Sequence, residues 1–126
     1  MVRFVFTFAA ISGLLSVVLG AFASHGLRGR LDERLPHAFE TAVTYQMSHS
    51  LALLLTALLI EQWGRHWALD GAVVGFIAGI VLFSGSLYLL ALTEMKWLGP
   101  VTPLGGLAFI VGWGLLAIGV WVQASS

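Results

Sequence analysis

Residues 71–93 read GAVVGFIAGIVLFSGSLYLLALT, a stretch of 23 residues without a charged side chain. A helix needs roughly 20 mostly apolar residues to cross about 30 Å of hydrocarbon, because each residue adds about 1.5 Å of length. This stretch is therefore long enough to span a membrane.

Uncharged stretches of similar length occur three more times, at residues 4–27, 41–60 and 97–126. In lipid a helix satisfies its own backbone groups, whereas a membrane barrel requires alternating strands that the sequence lacks. The pattern predicts an all-α membrane protein, a four-transmembrane-helix bundle that forms a single domain over residues 1–126. We expect the helices near residues 4–23, 41–60, 71–92 and 103–122.

The composition excludes an ordinary water-soluble domain. The chain has 126 residues and is 59% hydrophobic and 10% charged, whereas soluble domains are about 25% charged. Six Lys and Arg balance six Asp and Glu, so no basic surface for nucleic acid is expected. The absence of cysteine excludes disulfides, thiolate metal sites and cysteine nucleophiles.

The first apolar segment has one alternative interpretation, a cleaved secretory signal. Arg3 precedes the segment, and Ala21, Phe22 and Ala23 form an A-x-A-like pattern at its end. The apolar run is longer than the 7–15 residues of a signal core. We therefore expect the segment to be a retained helix.

The first turn carries half of all charged residues, within residues 28–40. Beside them, apolar residues recur every four positions, which places them on one helical face; these are Leu27, Leu31, Leu35 and Phe39. The pattern predicts a short amphipathic segment in the membrane interface between the first two helices; a solvated loop is the alternative. Pro36 is expected to break the segment, with the second helix starting at or just after the proline.

The second turn, residues 61–70, is short. Trp63 and Trp67 bracket it, and tryptophan suits the headgroup region of a membrane. His66 lies in this turn and His37 in the charged first turn. Both histidines are expected to be solvated.

The third turn, residues 93–102, ends at Thr102, which Pro103 follows. Threonine is favoured as an N-cap, and proline is favoured at the first helical position. We therefore expect Thr102 to cap the fourth helix.

Small residues recur along three of the predicted helices. They are Ser12, Ser16, Gly20 and Ser24 in the first helix, Gly71, Gly75 and Gly79 in the third, and Gly105, Gly112 and Gly119 in the fourth. Such stripes let helix backbones approach closely in lipid. Packing within the chain is favoured, and a homo-oligomer formed through these Gly/Ser faces is the alternative; membrane lipid is the other expected partner.

The second helix is the most polar of the four. Its purely apolar part is too short to span a membrane, so the span must include Tyr45, Gln46 and His49. Residues three and four positions apart share a helical face. Because an imidazole that faces lipid is costly, we expect His49 to point inward and to hold a partner.

Topology brings further polar residues to the same half of the membrane. The start of the second helix lies on the side where the first helix ends and the third helix ends. We therefore predict a candidate polar cluster that consists of His25, Tyr45, Gln46, His49, Ser84, Ser86 and Tyr88. The opposite half is almost purely apolar. Trp113, in mid-helix, is expected to fill a core or lipid contact.

Four stretches of the chain resemble a known family. They are GAFASH at residues 20–25, TAVTYQMSH at 41–49, LFSGSLY at 82–88 and TPLGG at 102–106. These stretches resemble the hallmark segments of the YgdD-like and YwdK-like bacterial membrane proteins, a domain-of-unknown-function family that also has a small vertebrate transmembrane member. The resemblance implies a multi-pass protein of the cell inner membrane and brings no established activity, substrate or catalytic residue.

Three functions remain open at this point. The polar cluster fits a structural or accessory membrane protein, in which it sets the helix register. Alternatively, His25 and His49 could accept protons in a small transporter, channel or proton-coupled component, with Tyr45 and Ser84 as relay hydroxyls. A third possibility is that His25 and His49 hold a haem or a metal ion.

We expect no enzyme and assign no catalytic, cofactor or metal residues. The sequence contains no G-x-S-x-G elbow, no H-E-x-x-H pair and no intramembrane aspartate pair, which are the motifs of the common hydrolases and metalloproteases. Two histidines without carboxylate or cysteine neighbours are weak support for a metal site.

The distribution of basic residues predicts the orientation. With four crossings, Arg3 and Arg65 lie on one side, and Arg28, Arg30, Arg34 and Lys96 lie on the other. The positive-inside tendency then puts the first and third turns in the cytoplasm and both termini outside. A C-terminal reporter that is active only outside the cytoplasm should therefore be active, and a cytoplasmic C-terminus would contradict this orientation.

Overall fold

The computed structural model describes residues 2–26, 34–93 and 95–124. Within these ranges the chain forms helices and no strand. The helices are α1 (Val2–Gly26), α2 (Arg34–Trp63), α3 (Trp67–Gly79), α4 (Gly85–Thr93) and α5 (Val101–Ala124), with a π-helical segment at Ile80–Ser84 and a short 3₁₀ turn at Lys96–Leu98.

Four membrane spans follow from these elements. Val2–His25, His37–Trp63, Trp67–Thr93 and Lys96–Ala124 are each long and apolar enough to cross a membrane. The third span joins α3, the π segment and α4 into one rod. The predicted fold class, an all-α bundle of four membrane-spanning helices, is confirmed.

Two helix starts differ from the sequence prediction. Helix α2 begins at Arg34, so Pro36 lies inside its first turn. The first N–H groups of a helix have no intrahelical partner, so proline is tolerated there and does not break the helix. Helix α5 begins at Val101, so Thr102 lies inside the helix and is not its N-cap.

The predicted interfacial segment falls mainly on residues 27–33, which lie outside the described residues.

The turn between α2 and α3 comprises only residues 64–66. Gly64 ends α2 in the left-handed region, with φ +87°, and its N–H donates to the Ile60 carbonyl at 2.7 Å, a common helix C-terminal motif. His66 was expected to be solvated, but its Nδ1 accepts a hydrogen bond from the Ala68 N–H at 3.1 Å. This histidine is therefore the N-cap of α3.

The bundle has two central and two flanking spans. Helix α2 contacts α3, the π segment and α4, whereas α1 packs mainly on α2 and α5 packs mainly on α3 and the π segment. The larger apolar core includes the fully buried Leu53, Leu69 and Phe76. A smaller core at the other end of the bundle contains Ala23, Phe39 and Ala91.

The glycine stripes of α3 and α5 face each other within the chain. A Cβ atom added to Gly75 would lie 2.9 Å from both the Ala108 carbonyl oxygen and the Gly112 Cα. A Cβ atom on Gly105 would overlap the backbone nitrogen of Phe83. These glycines therefore allow direct backbone contact between the third and fourth spans.

The stripe on α1 faces α2. Ser12 and Ser16 are 4% and 1% exposed, and a Cβ atom on Gly20 would lie 3.3 Å from the Val43 side chain. Ser24, the last member of the stripe, is exposed. The small-residue faces are thus largely used inside one chain.

Substitution of Gly105 by alanine should destabilise the bundle strongly. The new Cβ would overlap a backbone atom of the π segment, which a rotamer change cannot relieve, so we expect a loss at the upper end of the roughly 1–3 kcal/mol typical of overpacking. The measurement is thermal or denaturant unfolding in detergent. Gly114→Ala is the matched control on the same helix, because nothing lies within 4 Å of its added Cβ; equal stability of the two variants would contradict this packing.

Candidate functional site

Gln46 on α2 lies at the centre of the polar groups inside the bundle. Its side chain is 5% exposed, and its Nε2 donates to the Ser12 backbone carbonyl at 3.1 Å and approaches the Ser12 Oγ at 3.2 Å. Its Oε1 accepts from the Tyr88 hydroxyl at 2.5 Å. Because a backbone carbonyl only accepts, the partners set the orientation of the amide. One side chain therefore joins α1, α2 and α4.

Two serines extend this contact on the α1 side. The Ser50 hydroxyl donates to the Gln46 backbone carbonyl at 2.6 Å and lies 2.7 Å from the Ser12 hydroxyl. The Ser16 hydroxyl donates to the Ser12 carbonyl at 2.9 Å. We call the side chains of Ser12, Gln46, Ser50 and Tyr88 the Gln46 network. All its members are hydrogen-bonded, as buried polar groups in lipid must be.

Two further serines join the third span to its neighbours. The Ser84 hydroxyl, in the π segment, donates to the Ala42 carbonyl of α2 at 2.8 Å. The Ser86 hydroxyl donates to the Phe83 carbonyl at 3.0 Å and lies 2.5 Å from the Thr102 hydroxyl of α5. These bonds lie where the third span returns from π to α geometry.

His49 is 6% exposed and contacts α5, whereas the Gln46 network contacts α1 and α4. Its Nδ1 lies 2.8 Å from the Tyr45 carbonyl, and its Nε2 accepts from the Trp113 indole N–H at 3.0 Å. An indole nitrogen only donates and a carbonyl only accepts, so the proton must be on Nδ1 and Nε2 must be free of one. The partners thus define a neutral imidazole with a single tautomer.

Aromatic rings surround this imidazole. The His49 ring stacks on Phe109, with ring centroids 3.7 Å apart, and lies nearly parallel to Tyr45 at 5.8 Å. Phe76 approaches at 5.7 Å in a tilted orientation. A neutral ring is compatible with this apolar environment, in which an unpaired charge would be costly.

A groove of about 720 Å³ opens between α2 and α5 beside His49. It is lined by Tyr45, His49, Phe83, Pro103, Leu104, Gly106, Leu107, Phe109, Ile110 and Trp113. We call it the aromatic groove. Tyr45 is 42% exposed in it, and among the residues that the structure describes its hydroxyl has no hydrogen-bond partner.

The structure places His25 away from the other predicted cluster residues. His25 lies exposed at the end of α1, two residues beyond Ala23, which packs in the smaller core with Phe39. His49 follows Phe39 by ten residues on α2, a rise of about 15 Å. The two histidines therefore lie at different depths and are too far apart to ligate one metal ion or haem.

The remaining predicted residues lie in four separate contacts. Gln46 and Tyr88 bind each other, Tyr45 and His49 share the wall of the aromatic groove, and Ser84 and Ser86 bind α2 and α5 respectively. Across residues 2–26, 34–93 and 95–124, no group of three or more His, Cys, Asp or Glu is arranged to hold a metal ion.

Sequence reasoning missed three participants. Trp113 was expected to fill a core or lipid contact, but it is the donor to His49. A tryptophan in mid-span carries an N–H that needs an acceptor, and this requirement was the available signal. Ser12 was considered only as a packing residue, and Ser50 was not singled out, although a serine opposite a buried glutamine is a suitable partner for it.

Comparison with known proteins identifies the family. The family described as "Protein of unknown function (DUF423)" matches residues 19–106 of the chain. The chain belongs to this family. All four hallmark stretches lie within the matched range, so the resemblance seen in the sequence is confirmed.

Individual relatives support this membership. The UPF0382 membrane protein YwdK of Bacillus subtilis is 43% identical over 109 residues, which cover 86% of this chain and 89% of the relative. The UPF0382 membrane protein SERP0230 of Staphylococcus epidermidis is 45% identical over 111 residues, with 86% and 88% covered. The UPF0382 inner membrane protein YgdD of Escherichia coli K12 is 42% identical over 118 residues, with 93% and 88% covered.

No solved structure matches the chain significantly.

The names of the relatives and the four apolar helices both indicate that the protein lies in a membrane. The relatives are named membrane proteins, the Escherichia coli relative is named an inner membrane protein, and this DUF423 protein has four helices of membrane-spanning length. It is a multi-pass membrane protein of an uncharacterised family, and the predicted location in the inner membrane agrees with both observations.

The bond between Trp113 and His49 can be tested directly. In detergent-solubilised, ¹⁵N-labelled protein we expect the His49 ring to report a protonated Nδ1 and an unprotonated Nε2, and the Trp113 indole N–H to exchange slowly with deuterium. Trp113→Phe leaves a buried acceptor unpaired, so it should lower the free energy of unfolding by about 1 kcal/mol. Trp97→Phe is the control, because Trp97 is 68% exposed in the third turn. A His49 ring protonated on Nε2 would contradict this assignment.

Proposed function

We propose that this DUF423 protein is a structural or accessory component of the membrane, in which the polar side chains hold four helices in one register. The observation that carries the proposal is the Gln46 amide, which bonds to Ser12 on α1 and to Tyr88 on α4. A rotation or a one-residue slide of either helix would leave a buried amide group without a partner. Networks of this kind contribute only about 0.6 kcal/mol per bond in membranes, up to roughly 1.7, so their main effect is on register.

The arrangement of the hydroxyls favours this proposal over proton transport. A relay needs donors and acceptors in a continuous chain, but the Ser84 hydroxyl donates to a backbone carbonyl of α2. Tyr45 and His25 have no side-chain hydrogen bond to another described residue, and the acceptor nitrogen of His49 is occupied by Trp113. The residues considered for a relay are therefore not linked to one another within the described part of the chain.

We also propose that the protein has no catalytic activity of its own. The nearest resemblance to a nucleophile with a base is Ser48 beside His49, with 3.2 Å between Oγ and Nδ1. That ring nitrogen carries the proton that it donates to the Tyr45 carbonyl, so it is unable to accept the proton of Ser48. The pair lacks the base that a nucleophilic serine requires.

The outward surface supports an accessory role in a lipid environment. Apolar side chains such as Leu14, Val17 and Ile110 are 62%, 60% and 68% exposed. Lipid is the partner that these surfaces suit. Because the stripes of α1, α3 and α5 are largely used inside the chain, we propose that a homo-oligomer would use these outward apolar faces and not the Gly/Ser stripes.

The test of the register proposal compares two glutamines on α2. Gln46→Leu leaves the Tyr88 hydroxyl and the Ser12 groups without their partner, and we expect it to lower the free energy of unfolding in detergent by roughly 1–3 kcal/mol. Gln62→Leu, at the exposed end of the same helix, should change it by less than about 0.5 kcal/mol. Unfolding is followed by loss of the monodisperse peak on heating.

A flux assay separates the structural proposal from transport. Proteoliposomes that contain the unchanged protein should show no more pH-driven proton flux than empty liposomes. A flux that disappears in Tyr45→Phe, while that variant keeps its thermal stability, would overturn the structural proposal. The absence of flux from both the unchanged protein and Tyr45→Phe supports it.

A further inference from the structure

The aromatic groove has the length of one membrane leaflet. It runs along α5 from Pro103, in the first turn of that helix, to Trp113. Ten residues separate these positions, which corresponds to about 15 Å of helix, or half of the roughly 30 Å hydrocarbon core. The groove therefore begins near the membrane surface at the third turn and ends near the middle of the bilayer.

The groove is preformed and apolar. Its floor consists of rings that already pack on one another, since the Phe109 ring stacks on His49 with centroids 3.7 Å apart and meets Phe83 in a tilted orientation at 5.5 Å. One part of its wall is a glycine: a Cβ atom on Gly106 would have only Phe83 ring carbons within 4 Å, at 3.8 and 3.9 Å. A leucine at that position would therefore fit the fold and project into the groove.

One polar group in the groove lacks a partner. The hydroxyl of Tyr45 has none among the described residues, and a hydroxyl without a hydrogen bond is costly in hydrocarbon. Helix α2 enters the membrane near His37, so the Tyr45 backbone lies about 12 Å below that surface. Side chains on a helix lean toward its N-terminus, which directs the hydroxyl back toward the same surface.

The N-termini of α2 and α5 lie at the same surface. On α2, Tyr45 packs near Phe109 of α5, with ring centroids 6.1 Å apart. One turn later on both helices, His49 contacts Trp113. The two helices therefore run in parallel. The open end of the groove and the Tyr45 hydroxyl thus approach the headgroup region of one leaflet, where the ester carbonyls of glycerolipids lie.

We propose that the aromatic groove is a binding site for a diacyl glycerophospholipid of this leaflet. One acyl chain lies along α5 between Tyr45 and Trp113, and an ester carbonyl of the lipid accepts a hydrogen bond from the Tyr45 hydroxyl. This occupant matches the length of the groove, its apolar lining and its single unpartnered donor. A second copy of the chain that packed here through its most exposed apolar side chains, such as Leu14, Val17 and Ile110, would offer the hydroxyl no acceptor.

The experiment uses the whole protein in liposomes with a trace of phospholipid that carries a photoreactive group in the middle of one acyl chain. After illumination, peptide mass spectrometry locates the labelled residues. We expect label on Leu107, Ile110 and Trp113 above that on Leu14 of α1, whose exposure of 62% lies between those of Leu107 (57%) and Ile110 (68%).

Two variants test whether the groove holds the chain. Gly106→Leu fills the groove and should reduce groove labelling roughly tenfold, the loss expected when a preformed site is blocked. Gly114→Leu adds the same side chain to α5 where nothing lies within 4 Å of the new Cβ, and it should leave the labelling unchanged. Thermal stability of both variants establishes that they are folded.

The ester contact is tested on the unchanged protein, so this arm does not depend on how Gly106→Leu folds. An ether-linked version of the photoreactive lipid lacks the ester carbonyls and should label the groove about threefold less, the effect of one hydrogen bond in a membrane. Tyr45→Phe should remove this difference between the two lipids.

Three outcomes would overturn the proposal. Groove labelling that Gly106→Leu does not reduce would mean that lipid only passes over this surface. Equal labelling by ester and ether lipids would mean that Tyr45 does not bind the carbonyl. Groove residues that stay unlabelled while Leu14 is labelled would mean that the groove does not hold an acyl chain.

Discussion

The absence of water from the hydrocarbon core is the constraint on which this bundle depends. A buried amide in a soluble protein has water as an alternative partner, but Gln46 has only what the neighbouring helices supply. Ser12 on α1 and Tyr88 on α4 supply its hydrogen-bond partners. Since apolar helices are not driven together by hydrophobicity in lipid, such directional bonds and the close glycine contacts determine which helix faces meet.

The two determinants act on different pairs of helices. The contact between α1 and α2 is formed by serines and Gln46, so it is specified by hydrogen bonds. The contact between the third span and α5 is formed by glycines whose neighbours leave no room for a Cβ atom, so it is specified by shape. His49 and Trp113 then connect α2 to α5 across the third span. The four spans are thereby held as one unit, although the two outer spans each pack mainly on a central one.

The sequence predicts the four spans well because charge and bilayer thickness are independent of how the helices pack. Helical spacing and the order of the turns also place Gln46 and Tyr88 in the same half of the membrane, and the two do bind each other. The same reasoning assigned His25 to that cluster, because topology defines the half of the membrane but not the depth or rotation of a side chain. The partnership of His49 with Trp113 depends on rotations of α2 and α5 that no spacing within one helix encodes. The prediction that Pro36 breaks the helical segment was wrong, because the local sequence does not distinguish a proline in the first turn of a helix from a proline that ends one.

The π segment Ile80–Ser84 divides the third span into two angular phases. An ideal α-helix advances by about 100° per residue, and a π turn accommodates one additional residue, so side chains after the segment are rotated relative to an uninterrupted helix. Before the segment, Gly75 and Gly79 face α5, whereas after it Tyr88 reaches Gln46 on α2. Phe76, before the segment, also packs on His49 of α2, and Ser86, after it, still reaches Thr102 of α5. The rod therefore contacts both neighbours along its length, and the additional residue of the π turn sets which side chains meet each of them. The number of residues between Gly79 and Tyr88 is therefore constrained, because one inserted or deleted residue would rotate Tyr88 by about 100° away from Gln46.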